Sequence, residues 1–162
     1  MWRDTGGVQM RSKWSTVSLA AIVLFCVGSQ ASSAGAHVSP AKQLSLFETL
    51  DGPFGQADNK WTDALSALST NATVAQVSKP SHAFVPAIKT FDAGLQKIGF
   101  TGKTKSDVAS VIKLNSKLVT ILSSIKSVSA LEAQLGTLIS KYSPVQDALA
   151  KDFGIPPGDV VI

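Results

Sequence analysis

Four apolar series recur along the chain at intervals of three and four residues, and that spacing confines most of it to helices packed along their apolar edges. The first is Leu44, Phe47, Leu50, Phe54, Ala57, Trp61, Leu65 and Leu68; the second is Val77, Phe84, Ile88, Phe91, Leu95 and Ile98. The third holds Val108, Val111, Ile112, Leu118, Val119, Leu122 and Ile125, and the fourth Leu131, Leu135, Leu138, Tyr142, Val145 and Leu149. The apolar/polar alternation that marks a half-buried strand is almost missing. The reading is an all-α chain, an antiparallel up-down four-helix bundle.

Punctuation sets the expected boundaries. Gly52-Pro53-Phe54-Gly55 interrupts the first series, so the first helix should be broken there into pieces over about 41–51 and 57–69. Thr73 should N-cap the second helix, which Pro80 should kink and in which Pro86 removes another backbone bond. Gly99 to Gly102 closes it. The third helix is expected over about 105–127 with Thr104 or Ser106 as cap, and Ser129-Ala-Leu-Glu132 matches a capping box for the fourth. Gly154 followed by Pro156-Pro157 should stop the fourth helix.

The first 36 residues read differently. Arg11 and Lys13 precede an apolar run over 17–27, then polar Gly28-Ser29-Gln30 and small residues ending in Ala34-Gly35-Ala36. This is the layout of a secretory signal with cleavage after Ala36, and Met10 is an alternative start. A run of 11 residues is too short to span a bilayer, which takes about 20, so release without a stable membrane span is expected. Residues 37–162 would then form the helical bundle domain, secreted or extracytoplasmic, and a chain of that size folds without metal or disulfide, here as a monomer. Cys26, the only cysteine, lies inside the apolar run after Phe25 and leaves with the signal, which removes thiolate chemistry and disulfides from the product.

Charge excludes one class of partner. Beyond Ala36 there is no arginine and no basic run, only twelve lysines against ten acids. Without a basic stripe or guanidinium forks, nucleic acid is not an expected partner.

Three stretches carry a family likeness: Ala67-Leu-Ser-Thr-Asn-Ala-Thr-Val-Ala-Gln-Val77; Pro86-Ala-Ile-Lys-Thr-Phe-Asp-Ala-Gly-Leu95 continuing through Lys105-Ser-Asp-Val108; and Ala148-Leu-Ala-Lys-Asp-Phe-Gly-Ile-Pro-Pro157. Together they resemble the uncharacterised small exported helical proteins of actinobacteria, which are often lipoproteins. The resemblance implies an exported helical fold and supplies no catalytic residues. This chain departs from the pattern in lacking a lipid-attachment cysteine after its signal and in carrying Phe100-Thr101 where Trp-Pro is usual.

Motifs for known chemistries are incomplete. Gly102-Lys103-Thr104 ends like a phosphate-binding loop, but Lys97 stands where its first glycine is required. Asp152-Phe153-Gly154 lacks every other kinase element. His37 and His82 are the only imidazoles, there is no nucleophile elbow, and the acids are scattered without metal-ligand spacing. No catalytic residue, cofactor or metal ligand is assigned. Asn71-Ala72-Thr73 is a glycosylation sequon in form and a cap and turn in this setting.

One polar residue stands out. In the third series the positions 108, 111, 115, 118, 122 and 125 keep bundle spacing, and Asn115 is the only polar member. It should face the core and either bond across the bundle, fixing register, or touch a ligand; a stripe rotated toward Ile112 and Val119 would instead leave it at the boundary. If Asn115 only sets register, Asn115→Leu should be neutral or stabilising. Trp61, Phe84, Phe91 and Tyr142 are candidates to line an apolar pocket. The expected function is a non-enzymatic binding or structural component of the cell envelope or extracellular space, partnered by an unknown protein; the alternative is a carrier of an apolar small molecule held between the helices, separable by an internal cavity of several hundred Å³.

Overall fold

A computed structural model describes residues 38–156 of the chain. The leader and its cleavage site, His37 and Pro157 lie outside the described residues. Within them the protein is all-helical, with four long helices and no strand: α1 (Pro40–Ser66), α2 (Val74–Lys97), α3 (Gly102–Ser123) and α4 (Val128–Phe153). They form a helical bundle whose core gathers the apolar series, with Ile88, Val111, Leu122 and Leu149 fully buried.

The helix ends follow local chemistry. Ser39 caps α1 by accepting from the Lys42 amide, with Pro40 at the first helical position, where its missing N–H costs no bond. Thr73 and Gln76 form a reciprocal capping box on α2. The expected starts of the other two helices are corrected. α3 begins at Gly102, directly after Thr101, rather than at Thr104 or Ser106. α4 is capped by Ser127, whose hydroxyl accepts from the Ala130 amide, two residues before the Ser129 box. Gly154 ends α4 in the left-handed region at φ 71°, and the Ile155 amide bonds back to the Ala150 carbonyl at 2.9 Å.

A larger correction concerns α1, which runs unbroken through Gly52 and Pro53. Proline inside a helix costs about 3 kcal/mol and each glycine about 1 kcal/mol. Both Gly52 and Pro53 are exposed, so water can take over the missing backbone bond on the outer side. On the inner side Phe47, Phe54 and Trp61 are buried, and each contributes roughly 2 to 3 kcal/mol of burial only while the helix keeps their phase. Packing therefore outweighs propensity. α2 likewise continues through Pro80 and Pro86, and α4 through Pro144.

The seam between α1 and α2 is aromatic. Trp61 stacks on Phe84 with ring centroids 5.1 Å apart and planes within 12°, Phe84 meets Phe54 at 5.6 Å, and Phe54 stacks on Phe91 at 4.4 Å. Phe91 in turn meets Phe47 edge-on at 6.1 Å. Gly94 permits the close approach of the two helices, because a Cβ there would come within 2.5 Å of Leu50 Cδ2. α2 also packs on α3 and α3 on α4, whereas α4 touches α1 only sparsely. That thin seam is where the site lies.

Candidate functional site

Between α1 and α4 lies a partly open cavity of about 560 Å³, within the range that holds drug-sized ligands. One wall is aromatic, made by Phe54 and Trp61 of α1 and Phe84 of α2. The facing wall is aliphatic, from Leu118 of α3 and Leu135, Leu138 and Ile139 of α4, with Leu65 at the α1 side. Ile139 is the large apolar side chain left exposed among the described residues, at 44%, and it also borders the cavity. Gly136 contributes only backbone there, with open space where its Cβ would stand.

The helices position the wall by simple register. Phe54, Trp61 and Leu65 recur at seven and four along α1, which places them on one edge. Trp61 is held by its indole N–H, which donates to Ser81 Oγ at 3.2 Å, while the Ser81 hydroxyl donates to the Val77 carbonyl at 2.8 Å. Ser81 is fully buried, so both of its bonds are needed to satisfy it. The result is a tryptophan whose ring is fixed by a bond at its edge and a stack on its face.

Polar groups gather at one part of this lining. Asn115 is 1% exposed and joins α2, α3 and α4: the Tyr142 hydroxyl donates to its Oδ1 at 2.6 Å, and its Nδ2 donates to Asp92 Oδ1 at 2.6 Å. Burial pushes the Asp92 carboxyl up to about 6, and the bond from Asn115 acts in the opposite direction by favouring the charged form. Asp58 borders the cavity and is also raised to about 6 by burial. Burial, then the charges of Asp92 and Asp58, hold the Tyr142 phenol well above its ordinary value, so it stays a neutral donor. Thr62, Ser129, Glu132 and Gln146 complete the polar lining.

The sequence candidates fall as follows. Trp61, Phe84 and Tyr142 line the cavity, and so does Asn115. Phe91 does not; it lies behind Phe54, which its ring stacks on, and supports the wall without reaching the space. Sequence reasoning missed Asp58, Asp92 and Ser81. Among the described residues no group of three or more His, Cys, Asp or Glu side chains is placed to hold a metal ion, and no helix is long and apolar enough to cross a membrane. Compared with known proteins, the chain matches no family model, no curated protein and no solved structure.

Proposed function

We propose that this protein is an exported, non-enzymatic carrier that holds a small apolar molecule in the α1/α4 seam of an up-and-down four-helix bundle, after removal of its leader at Ala36. One observation carries the reading: the 560 Å³ cavity, whose walls are largely aromatic and aliphatic and lie against the buried core. A purely structural bundle gains nothing from such a space, because unfilled volume forfeits packing contacts. The fixed Trp61 ring and the exposed Ile139 beside the cavity suit an apolar guest entering along the thin seam. The charged leader, the short apolar run and the Ala34-Gly35-Ala36 site support export, as does the likeness to exported actinobacterial proteins.

Native mass spectrometry of protein purified gently from its source tests this directly. The expected result is a retained apolar molecule on a chain beginning at His37. Gly136→Phe, which puts a ring into the open space beside the cavity, should lose that molecule while keeping a helical spectrum. A protein that carries nothing and takes up no long-chain alcohol overturns the reading.

A further inference from the structure

We propose that the cavity selects an apolar cation, a molecule with a hydrocarbon body and one protonated amine that seats against Asp58. The inference rests on the carrier reading and specifies its ligand class. The charged side chains that line the cavity are Asp58 and Glu132, both acids, and no lysine is among the lining residues although lysines are the chain's only abundant cations beyond the leader. A carboxylate-headed guest such as a fatty acid would meet like charge in a desolvated space.

Hydrogen-bond capacity points the same way. Three of the lining donors are engaged within the protein: the Tyr142 hydroxyl gives its proton to Asn115 Oδ1, the Asn115 amide gives to Asp92, and the Trp61 indole gives to Ser81. Acceptors remain, in the carboxyl of Asp58 and the lone pairs of the Tyr142 oxygen. A guest that pairs with these acceptors brings donors, and an ammonium brings three. Asp58 lies one turn from both Phe54 and Trp61 on the same edge of α1, so a cation at its carboxyl also lies beside aromatic rings that attract positive charge. Hydrocarbon then follows the aliphatic wall toward Ile139.

Calorimetric titration of the full chain with dodecylamine, dodecanol and dodecanoate, each below its aggregation threshold, decides the matter. The three probes share one hydrocarbon tail and differ in head group. Dodecylamine should bind about tenfold or more tighter than dodecanol, since a desolvated charge-assisted bond separates them, and dodecanoate should be weakest. In Asp58→Asn, which keeps the shape, the amine should fall to the affinity of the alcohol, and alcohol binding should hold. The wild-type ranking stands as a test even where the variant does not fold. Equal binding of amine and alcohol, tighter binding of dodecanoate, or a preference that survives in folded Asp58→Asn overturns the amine assignment and leaves the carrier standing. Binding of none of the three overturns both.

Discussion

Replacing Asn115 by leucine is the most informative single change, and the structure reverses the sign that the sequence suggests. A lone buried amide kept for register would be replaced at little cost. Here, however, two partners depend on it: Tyr142 loses its acceptor and Asp92 its donor. Leaving the phenol unpaired costs about 1 to 3 kcal/mol, and removing a charge-assisted bond from the Asp92 carboxylate costs about 1.5 to 3 kcal/mol. Leucine returns about 1 to 2 kcal/mol of apolar burial, and the adjoining cavity lets water relieve part of the phenol's loss, so the net destabilisation is about 2 to 4 kcal/mol at about pH 8. At about pH 5 Asp92 is mostly protonated and no longer needs the donor, so the loss should shrink to about 1 to 2 kcal/mol. Urea melts followed by far-UV circular dichroism at the two pH values measure both numbers. The double variant with Tyr142→Phe removes the stranded hydroxyl and should be more stable than the sum of the single losses implies. A leucine variant as stable as its parent at both pH values, or strictly additive losses, would show that the Asp92–Asn115–Tyr142 chain contributes nothing.

Three further outcomes follow from the same packing. Gly136→Ala should raise stability by about 1 kcal/mol, because the glycine is inside α4 and its Cβ would meet open space; thermal melts check this. Gly94→Ala should lower it by about 1 kcal/mol despite the better helix propensity, since the new methyl collides with both Leu50 methyls and overpacking costs about 1 to 3 kcal/mol; an urea midpoint at or above the parent's refutes the collision. Stability should also fall as pH rises. Asp51, Asp58 and Asp92 are each held at about 6 in the fold, so the folded chain binds protons more tightly than the unfolded one, and the stability this supplies in acid is withdrawn as pH climbs through about 6. Glu48 adds to the rise at Asp51, Tyr142 stays neutral beside Asp58, and Asn115 partly offsets the rise at Asp92. A urea midpoint higher at about pH 8 than at about pH 5 would refute it.

The helices were legible because their apolar spacing is a period, and a period survives local disagreement. The break expected at Gly52-Pro53 failed for that reason: a backbone preference is read from two residues, whereas the phase holding Phe47, Phe54 and Trp61 together is read from the whole helix. Asn115 was legible as the one polar member of an otherwise apolar stripe. The same signal was present in α1 and went unread. Phe47, Asp51, Phe54, Asp58, Trp61 and Leu65 recur at four, three, four, three and four, so two acids occupy the inward edge where Leu50 and Ala57 had been counted as its members. In α2, Ser81 fills the gap between Val77 and Phe84 at the same spacing. Asp92 carries no such mark, because it stands one residue beyond the stripe and is drawn in by a partner on another helix. The cavity was the least legible feature, since an aromatic residue at core spacing gives the same pattern whether its far side meets a side chain or a space. What separates Phe84 from Phe91 is only that α4 stands off from α1 beside the first, while Phe91 is packed between Phe54 and Phe47. An inward acid does not by itself announce such a space: Asp58 borders the cavity, whereas Asp51 on the same edge does not, and burial raises both carboxyls toward the neutral form instead.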